Sequence, residues 1–500
     1  MKFFYLSILL PFFLLASYIL DAEAEIDSIA SHKQAGTGEN IDTQVVASGL
    51  DIPWEIAWGP DNKIWVTEQK GLISTVDPQT GAKHVLLQLN DVWFYRTAGL
   101  LAMALHPDMK ANPYVFLNYT FEKDAKRFSR LVRYTWKKDT LINPRVLMEV
   151  AANNGHSGAR LSFSKGKLYW ATGDANNNTY AQDFNIPNGK ILRLNIDGSI
   201  PADNPVKGSP VWAMGFRNIQ GMTFSKNGKL YTSEHGDATD DEVNLVEKTK
   251  NYGWPAVRGF ADSPKEKEFS ASTSIADPLK SWTPTIAPAG MSYYSSNTIS
   301  KWNNSLLLVS LKAKNLRLLK LSADGNSIIS EEVFLDNQFG RLRGICISPA
   351  GDVYVSTSNR DWTRTPGSPL PEDDRIIRIF KSDKVMSSLQ PQQGPQAKTT
   401  LYQQYCASCH QENGTGLKGV FPPLKGSALV KTAGLPLIKK ILNGSAGPVE
   451  INGVKYDAQM PSFAFLKDDE IEQIANYILA MQAERHPVID QQIIAKARNN

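Results

Sequence analysis

The stretch GPDNKIWVTEQKGLISTVDPQTG, residues 59–81, decides the fold of most of this chain. A turn of Gly, Pro, Asp and Asn opens it, a short strand of alternating character follows, and a second strand runs on to the next turn. The same unit returns at 106–136, 164–199, 225–248, 303–326 and 348–383. In each copy β-branched and aromatic residues alternate between turn signals, and no copy is long enough to bury its own faces. Sheet-forming units that recur this way bury themselves by stacking around an axis. The pattern therefore predicts an all-β six-bladed β-propeller over residues 43–383, with a long β-sandwich or a pair of barrels as the alternative.

The composition then changes. SSLQPQQGPQAK (387–398) is rich in Gln, Pro and Ser and has no apolar period, so 384–398 reads as an extended linker. Beyond it, TTLYQQYCASCH and DDEIEQIANYILAMQAERH space apolar residues at three and four, which predicts a small all-α domain over 399–484. Residues 485–500 read as a C-terminal tail, peripheral from Ile489 onward. At the other end, Lys2 precedes an apolar run from Phe3 to Leu20, and Ala22-Glu23-Ala24 has the small-x-small form of a cleavage site. Residues 1–24 thus read as a signal peptide, with a retained membrane anchor as the alternative. The expected location is outside the cytoplasm, in a bacterial periplasm. A formal charge of +4 without a Lys/Arg run excludes nucleic acid as a partner.

Of the three cysteines, Cys346 in RGICISPAG reads as a buried strand residue. The other two, Cys406 and Cys409, form C-x-x-C-H with His410, the pattern for covalent attachment of haem c. Two thioethers fix the porphyrin edge and force His410 towards the iron. A zinc or redox pair is the alternative, but zinc would need two further ligands. Downstream, YDAQMPSFAFLKDDEIEQIANYI offers Met460 before Pro461 and a closing helix. This region resembles the class I cytochromes c, in which a Met before Pro occupies the place of Met460 as the second axial ligand.

A haem handles electrons singly, so the propeller should hold their source. It shows no Rossmann glycine fingerprint, only polar clusters at strand ends. Arg217, Lys312, Arg341 and Arg343 come from distant units, and on a propeller they would converge and repel unless an anion lay among them. His156 is a candidate base that Asp174 could orient, and HGDATDDE offers oxygens to a hard cation such as Ca²⁺. Each feature alone reads as a solvated arginine or an ordinary turn.

Together they carry a resemblance. GHSGARL, TGD with NGKILRLNIDGSIPADNP, GFRNIQG, EHGDATDDEVNLVEKTKNYGWP, PTIAPAG and GRLRG resemble the soluble quinoprotein glucose/sorbosone dehydrogenases. The resemblance implies pyrroloquinoline quinone (PQQ) and Ca²⁺ in a six-bladed propeller. It makes His156 the base at the sugar C1, supported by Asp174, and Arg217 the group that polarises the quinone carbonyl. It assigns Asn218, Thr285, Lys312, Arg341 and Arg343 to the quinone, and the main-chain carbonyls of Gly236 and Asp237 to calcium. The match departs where the sugar should sit: Thr97 replaces a Gln or acidic residue, Gly155 replaces an acidic neighbour of the base, and Trp282 is displaced by one position. The expectation is oxidation of an aldose to its lactone, with electrons leaving one at a time through the tethered haem to an external acceptor. The alternatives are a calcium-dependent propeller hydrolase and a non-catalytic sugar-binding or electron-relay module.

Overall fold

The structure is a computed structural model that describes residues 40–363, 368–382, 400–432, 434–445, 448–451, 453–456, 460–483 and 487–499. The segments read as a signal peptide and as a linker lie outside the described residues.

Six four-stranded antiparallel sheets form the propeller. Their innermost strands are Pro53–Trp58, Leu100–Leu105, Gly158–Ser164, Ile219–Phe224, Pro288–Tyr294 and Leu342–Ile347, each packed against the next, with the last closing on the first. Every repeat read from the sequence is the middle hairpin of one blade, such as Ile64–Glu68 with Leu72–Val76. All five residues of Ile64–Glu68, Leu230–Glu234 and Val353–Thr357 are buried, because neighbouring blades cover both faces of each sheet.

Ring closure comes from a segment the repeat did not flag. Strand Ile41–Ala47 pairs antiparallel with Ile376–Lys381, Thr43 opposite Ile379, and so completes the sixth blade from the N-terminal side. The wheel is thereby latched by hydrogen bonds between residues more than three hundred positions apart, with Ile41–Ala47 as the outermost strand of that blade.

The small domain is helical, as its periodicity predicts. Helix Asp468–Ala480 buries Ile471, Ile474, Ala475 and Ile478 against Leu401–Tyr405 and Leu435–Asn443, and Tyr402 stacks on Tyr477 at 4.8 Å. One expectation is corrected: the tail is not peripheral. Helix Gln491–Arg498 seats Ile494 and Ala497 in this core together with Ile489, and Arg498 pairs with Asp468 at 2.7 Å. Isoleucines on one face of a short helix need a partner, and the haem domain supplies it. No helix among the described residues is long and apolar enough to cross a membrane.

Candidate active site

In an antiparallel blade the start of the innermost strand and the end of the second strand lie at the same end. His156, Arg217, Thr285 and Arg341 precede or open innermost strands, whereas Asp174, Gly236, Asp237 and Lys312 follow second strands. The topology alone therefore gathers them at one mouth of the wheel.

Close approach of backbones builds the His156 corner. A Cβ at Gly173 would come within 2.1 Å of the His156 carbonyl oxygen, so only glycine fits there. His156 itself adopts φ = 51°, a left-handed conformation that is costly for a non-glycine residue and is held by its neighbours. Its Nδ1 lies 2.8 Å from Asp174 Oδ1. A buried carboxylate accepts, so Nδ1 carries the proton and Nε2 keeps its lone pair. Asp174 Oδ1 also accepts from Asn176 N at 2.9 Å, and Oδ2 accepts from Trp254 Nε1 at 2.9 Å. Burial and then the Arg217 charge hold the His156 pKa below its ordinary value, against an upward pull from Asp174. Asp174 is held below the usual carboxylate range: His156 and Arg217 outweigh its burial. The imidazole is thus neutral near pH 7 and fixed in one tautomer, as a base must be.

Arg217 lies beside this pair, its guanidinium 5.2 Å from the Trp254 ring centre and Nη1 donating to the His235 carbonyl at 3.3 Å. Its buried Nε has no hydrogen-bond partner among the described residues. Asn218 accepts from Gly158 N at 3.2 Å and so ties the fourth blade to the loop of His156. Lys312 Nζ donates to Thr285 Oγ1 at 2.9 Å, with burial pulling the ammonium pKa down. Arg341 and Arg343 share Asp361, and the Arg343 guanidinium lies 3.7 Å from the Trp54 ring centre. His235 feels both Arg217 and Arg343; burial first, then Arg217, pushes its pKa to about 3. Four cations from three blades thus meet at the hub among buried carboxylates. Asp361 faces Arg341 and Arg343, Asp174 and Glu234 face Arg217, and Asp241 faces Lys312. The orphaned Arg217 Nε asks for an acceptor, so an acidic multidentate ligand such as PQQ fits the donor set.

The Gly236–Asp237 turn approaches Thr239 so closely that a Cβ at Gly236 would lie 1.8 Å from the Thr239 carbonyl oxygen. Asp241 accepts from Gly236 N at 2.8 Å and from Ile286 N and Ala287 N, tying this turn to the Thr285 segment. Among the described hydrogen bonds the carbonyls of Gly236 and Asp237 accept none, which fits oxygens kept for a hard cation. Among the described residues no group of three or more His, Cys, Asp or Glu is arranged to hold a metal, so such an ion would rest on main-chain oxygen.

Sequence reading had not assigned roles to Trp254, Asp241 or Asp361. Asp241 and Trp254 lie in a quoted motif and Asp361 follows a strand of the last blade, but only the fold shows what each touches. Trp282 packs inside its blade and donates to Glu331 at 3.2 Å.

In the haem domain, Cys406, Cys409 and His410 follow one another around a helical turn, with His410 N donating to Cys406 O at 2.9 Å. His410 Nδ1 lies 2.8 Å from the Pro422 carbonyl, which can only accept. Nδ1 is therefore protonated and Nε2 is free to ligate iron. Burial lowers the His410 pKa and keeps the ring neutral. Met460 is held by paired main-chain bonds to Ser445 and packs against the same core. Cys406 and Cys409 with a neutral His410 fit the attachment of haem c, and Met460 is the residue that would supply a second iron ligand. Trp362 of the propeller meets Phe421 of this domain at 5.1 Å, Ala238 packs into the helical core, and Lys312 is near enough to Cys406 and Cys409 to influence both.

A wheel with a basic hub, a carboxylate-backed histidine and a covalent-haem domain belongs to the redox enzymes. The comparisons make this definite. Residues 50–363 match the Glucose / Sorbosone dehydrogenase family model and residues 398–482 match Cytochrome c. The chain belongs to the glucose/sorbosone dehydrogenase family and carries a C-terminal cytochrome c domain. It is 31% identical over 455 residues to quinoprotein glucose dehydrogenase B of Acinetobacter calcoaceticus, covering 73% of this chain and 94% of that protein. To aldose sugar dehydrogenase YliI of Escherichia coli it is 31% identical, over 66% of this chain and 93% of that one. The PQQ-bound aldose sugar dehydrogenase of Streptomyces coelicolor superposes with a TM-score of 0.60 at 29% identity, over 69% of this chain and 99% of that chain.

Proposed function

We propose that this protein oxidises an aldose at C1 to the lactone, using PQQ and Ca²⁺, and delivers the electrons singly through its own haem c to an external acceptor. The observation that carries the reading is the Nδ1–Asp174 contact of His156 beside the unsatisfied Arg217 Nε. PQQ would supply a two-electron hydride acceptor, calcium a Lewis acid and haem c a one-electron relay.

The chain's own residues do the rest. His156 Nε2 takes the C1 hydroxyl proton while Asp174, braced by Trp254 and Asn176, stabilises the imidazolium that forms. Arg217, Asn218, Thr285, Lys312, Arg341 and Arg343 would hold the acidic cofactor, and the Gly236 and Asp237 carbonyls would hold calcium. Trp362 and Phe421 bring the propeller and the haem domain into ring contact, across which the electrons would pass. The apolar N-terminal run supports export to a periplasm, where such an acceptor would be met.

The test is reconstitution of the full chain with PQQ and Ca²⁺, followed by a panel of aldoses with the haem absorbance as readout. Haem reduction by an aldose is expected. A haem that stays oxidised with every sugar rules the reading out.

A further inference from the structure

In a C-x-x-C-H turn His410 turns Nε2 to the iron, and the partner of Nδ1 decides how basic the ring is. Here that partner is the Pro422 carbonyl at 2.8 Å. The loop between the two residues is packed without slack. Gly416 N donates to His410 O at 2.9 Å, and Leu417 and Phe421 exchange paired main-chain bonds of 2.8 Å. Gly416 has φ = 63°, and a Cβ on it would come within 2.5 Å of the carbonyl oxygens of both Phe421 and Pro422. A loop this close-packed cannot absorb a displacement of Phe421, so the Pro422 carbonyl moves with it.

What bears on Phe421 comes from the propeller. The Trp362 ring lies 5.1 Å from the Phe421 ring, tilted by 34°. Trp362 is itself anchored. Its N donates to Asp361 Oδ1 at 2.7 Å, while Oδ2 of this fully buried carboxylate accepts from Arg341 at 3.1 Å and from Arg343. An unbroken series of contacts thus runs from the arginines of the hub to the ring of His410.

A firm Nδ1–H bond to a carbonyl makes the imidazole a stronger electron donor, which favours ferric over ferrous iron. The contact therefore acts with a definite sign. While Trp362 holds the loop, the potential stays low, which favours passing electrons on. A loosened carbonyl weakens the bond and lets the potential rise. Water entering the interface would act the other way, because it stabilises the more highly charged ferric state.

We propose that Trp362 is a positioning residue for His410: acting through Phe421 and the Pro422 carbonyl, it firms the Nδ1–H bond of the iron ligand and gives the propeller control of the haem potential. The inference rests on the haem c reading with His410 as an axial ligand, and it deepens the relay step proposed above. It requires nothing of the sugar.

The full chain with covalent haem is titrated between its ferric and ferrous states, one electron per haem, beside Trp362→Ala and Trp362→Phe. Trp362 is partly exposed, so its truncation leaves no sealed cavity. Trp362→Ala should raise the ferrous-to-ferric ratio at fixed potential several-fold. The ceiling that one ring pair can supply is about tenfold, or about 59 mV for one electron. Trp362→Phe keeps a ring and should stay near the parent. Exchange of the His410 Nδ1 proton, followed by NMR of the ferrous protein, should quicken in Trp362→Ala. The inference is overturned by a potential that holds or falls in Trp362→Ala, by a phenylalanine variant that matches the alanine one, or by an exchange rate the alanine leaves unchanged. A purified chain that retains no covalent haem overturns the haem reading beneath it instead.

Discussion

The proposed haem centre takes Cys406, Cys409 and His410 from one turn of chain and Met460 from further along it. The hub draws His156, Arg217, Lys312 and Arg343 from four different blades. The first site is built largely by local helix geometry. The second exists only when the wheel has closed, with Ile41–Ala47 latched on Ile376–Lys381. A site made of local contacts should survive damage elsewhere, whereas one made of long-range contacts should share the fate of the whole fold.

The largest expected effect separates the two regions outright. Replacing Cys406 and Cys409 together by Ser should abolish covalent haem, seen by haem stain after denaturation, while sugar oxidation followed with a soluble dye acceptor persists. Loss of dye-linked activity as well would show that the centres are one unit. The converse variant, His156→Ala, should lower kcat by about 10²–10⁴ with either acceptor and leave the haem spectrum alone.

Next comes the charge balance of the hub. Arg341 and Arg343 are buried on the carboxylate of Asp361, which is itself fully buried. Asp361→Ala should destabilise the propeller by about 3–5 kcal/mol in denaturant melts, because it strands two guanidinium groups, without moving the haem-domain transition. Equal shifts in both transitions would erase the contrast between the regions.

A subtler effect is in pH. As the proposed base His156 would have to be neutral, and burial with Arg217 holds its pKa below the ordinary 6.5. Activity should therefore fall only as pH drops below that value. Asp174 pulls the imidazole pKa upward, so Asp174→Asn should carry the acid limb of kcat/KM to lower pH still, besides reducing kcat. An acid limb moving to higher pH would contradict the arrangement.

The smallest effect tests how the regions meet. Trp362→Ala removes a ring pair that contributes about 0.5–1.5 kcal/mol. Haem reduction within the chain should slow several-fold while dye-linked turnover holds. An unchanged haem rate would mean that the Trp362–Phe421 contact does not set the electron path.

Legibility in the sequence followed the same division. C-x-x-C-H announced its chemistry because adjacent residues must serve one porphyrin edge. The blade hairpins were readable from alternation, but the strand that seals the wheel was not, since its partner lies at the far end of the domain. His156 and Asp174 stood out by residue type at strand ends, and the motif resemblance supplied their roles. Trp254, which holds the second oxygen of Asp174, looked like any tryptophan in a Gly-Trp-Pro turn until the fold brought it 2.9 Å from that carboxylate. Asp361 was equally silent: an aspartate after a strand is an ordinary turn residue until two arginines converge on it. The C-terminal helix was misjudged because its short apolar face has meaning only beside the core that receives it.

By itself, then, the amino-acid order settled what depends on near neighbours: the repeating hairpins, the haem attachment turn, and the residue types fit for proton transfer and anion binding. Tertiary structure decided which of those residues meet and which arginines are already neutralised by an internal carboxylate. The reason is physical. Covalent spacing fixes distances over a few residues, whereas hydrogen bonds and charges act through space, and only closure of the ring sets those distances.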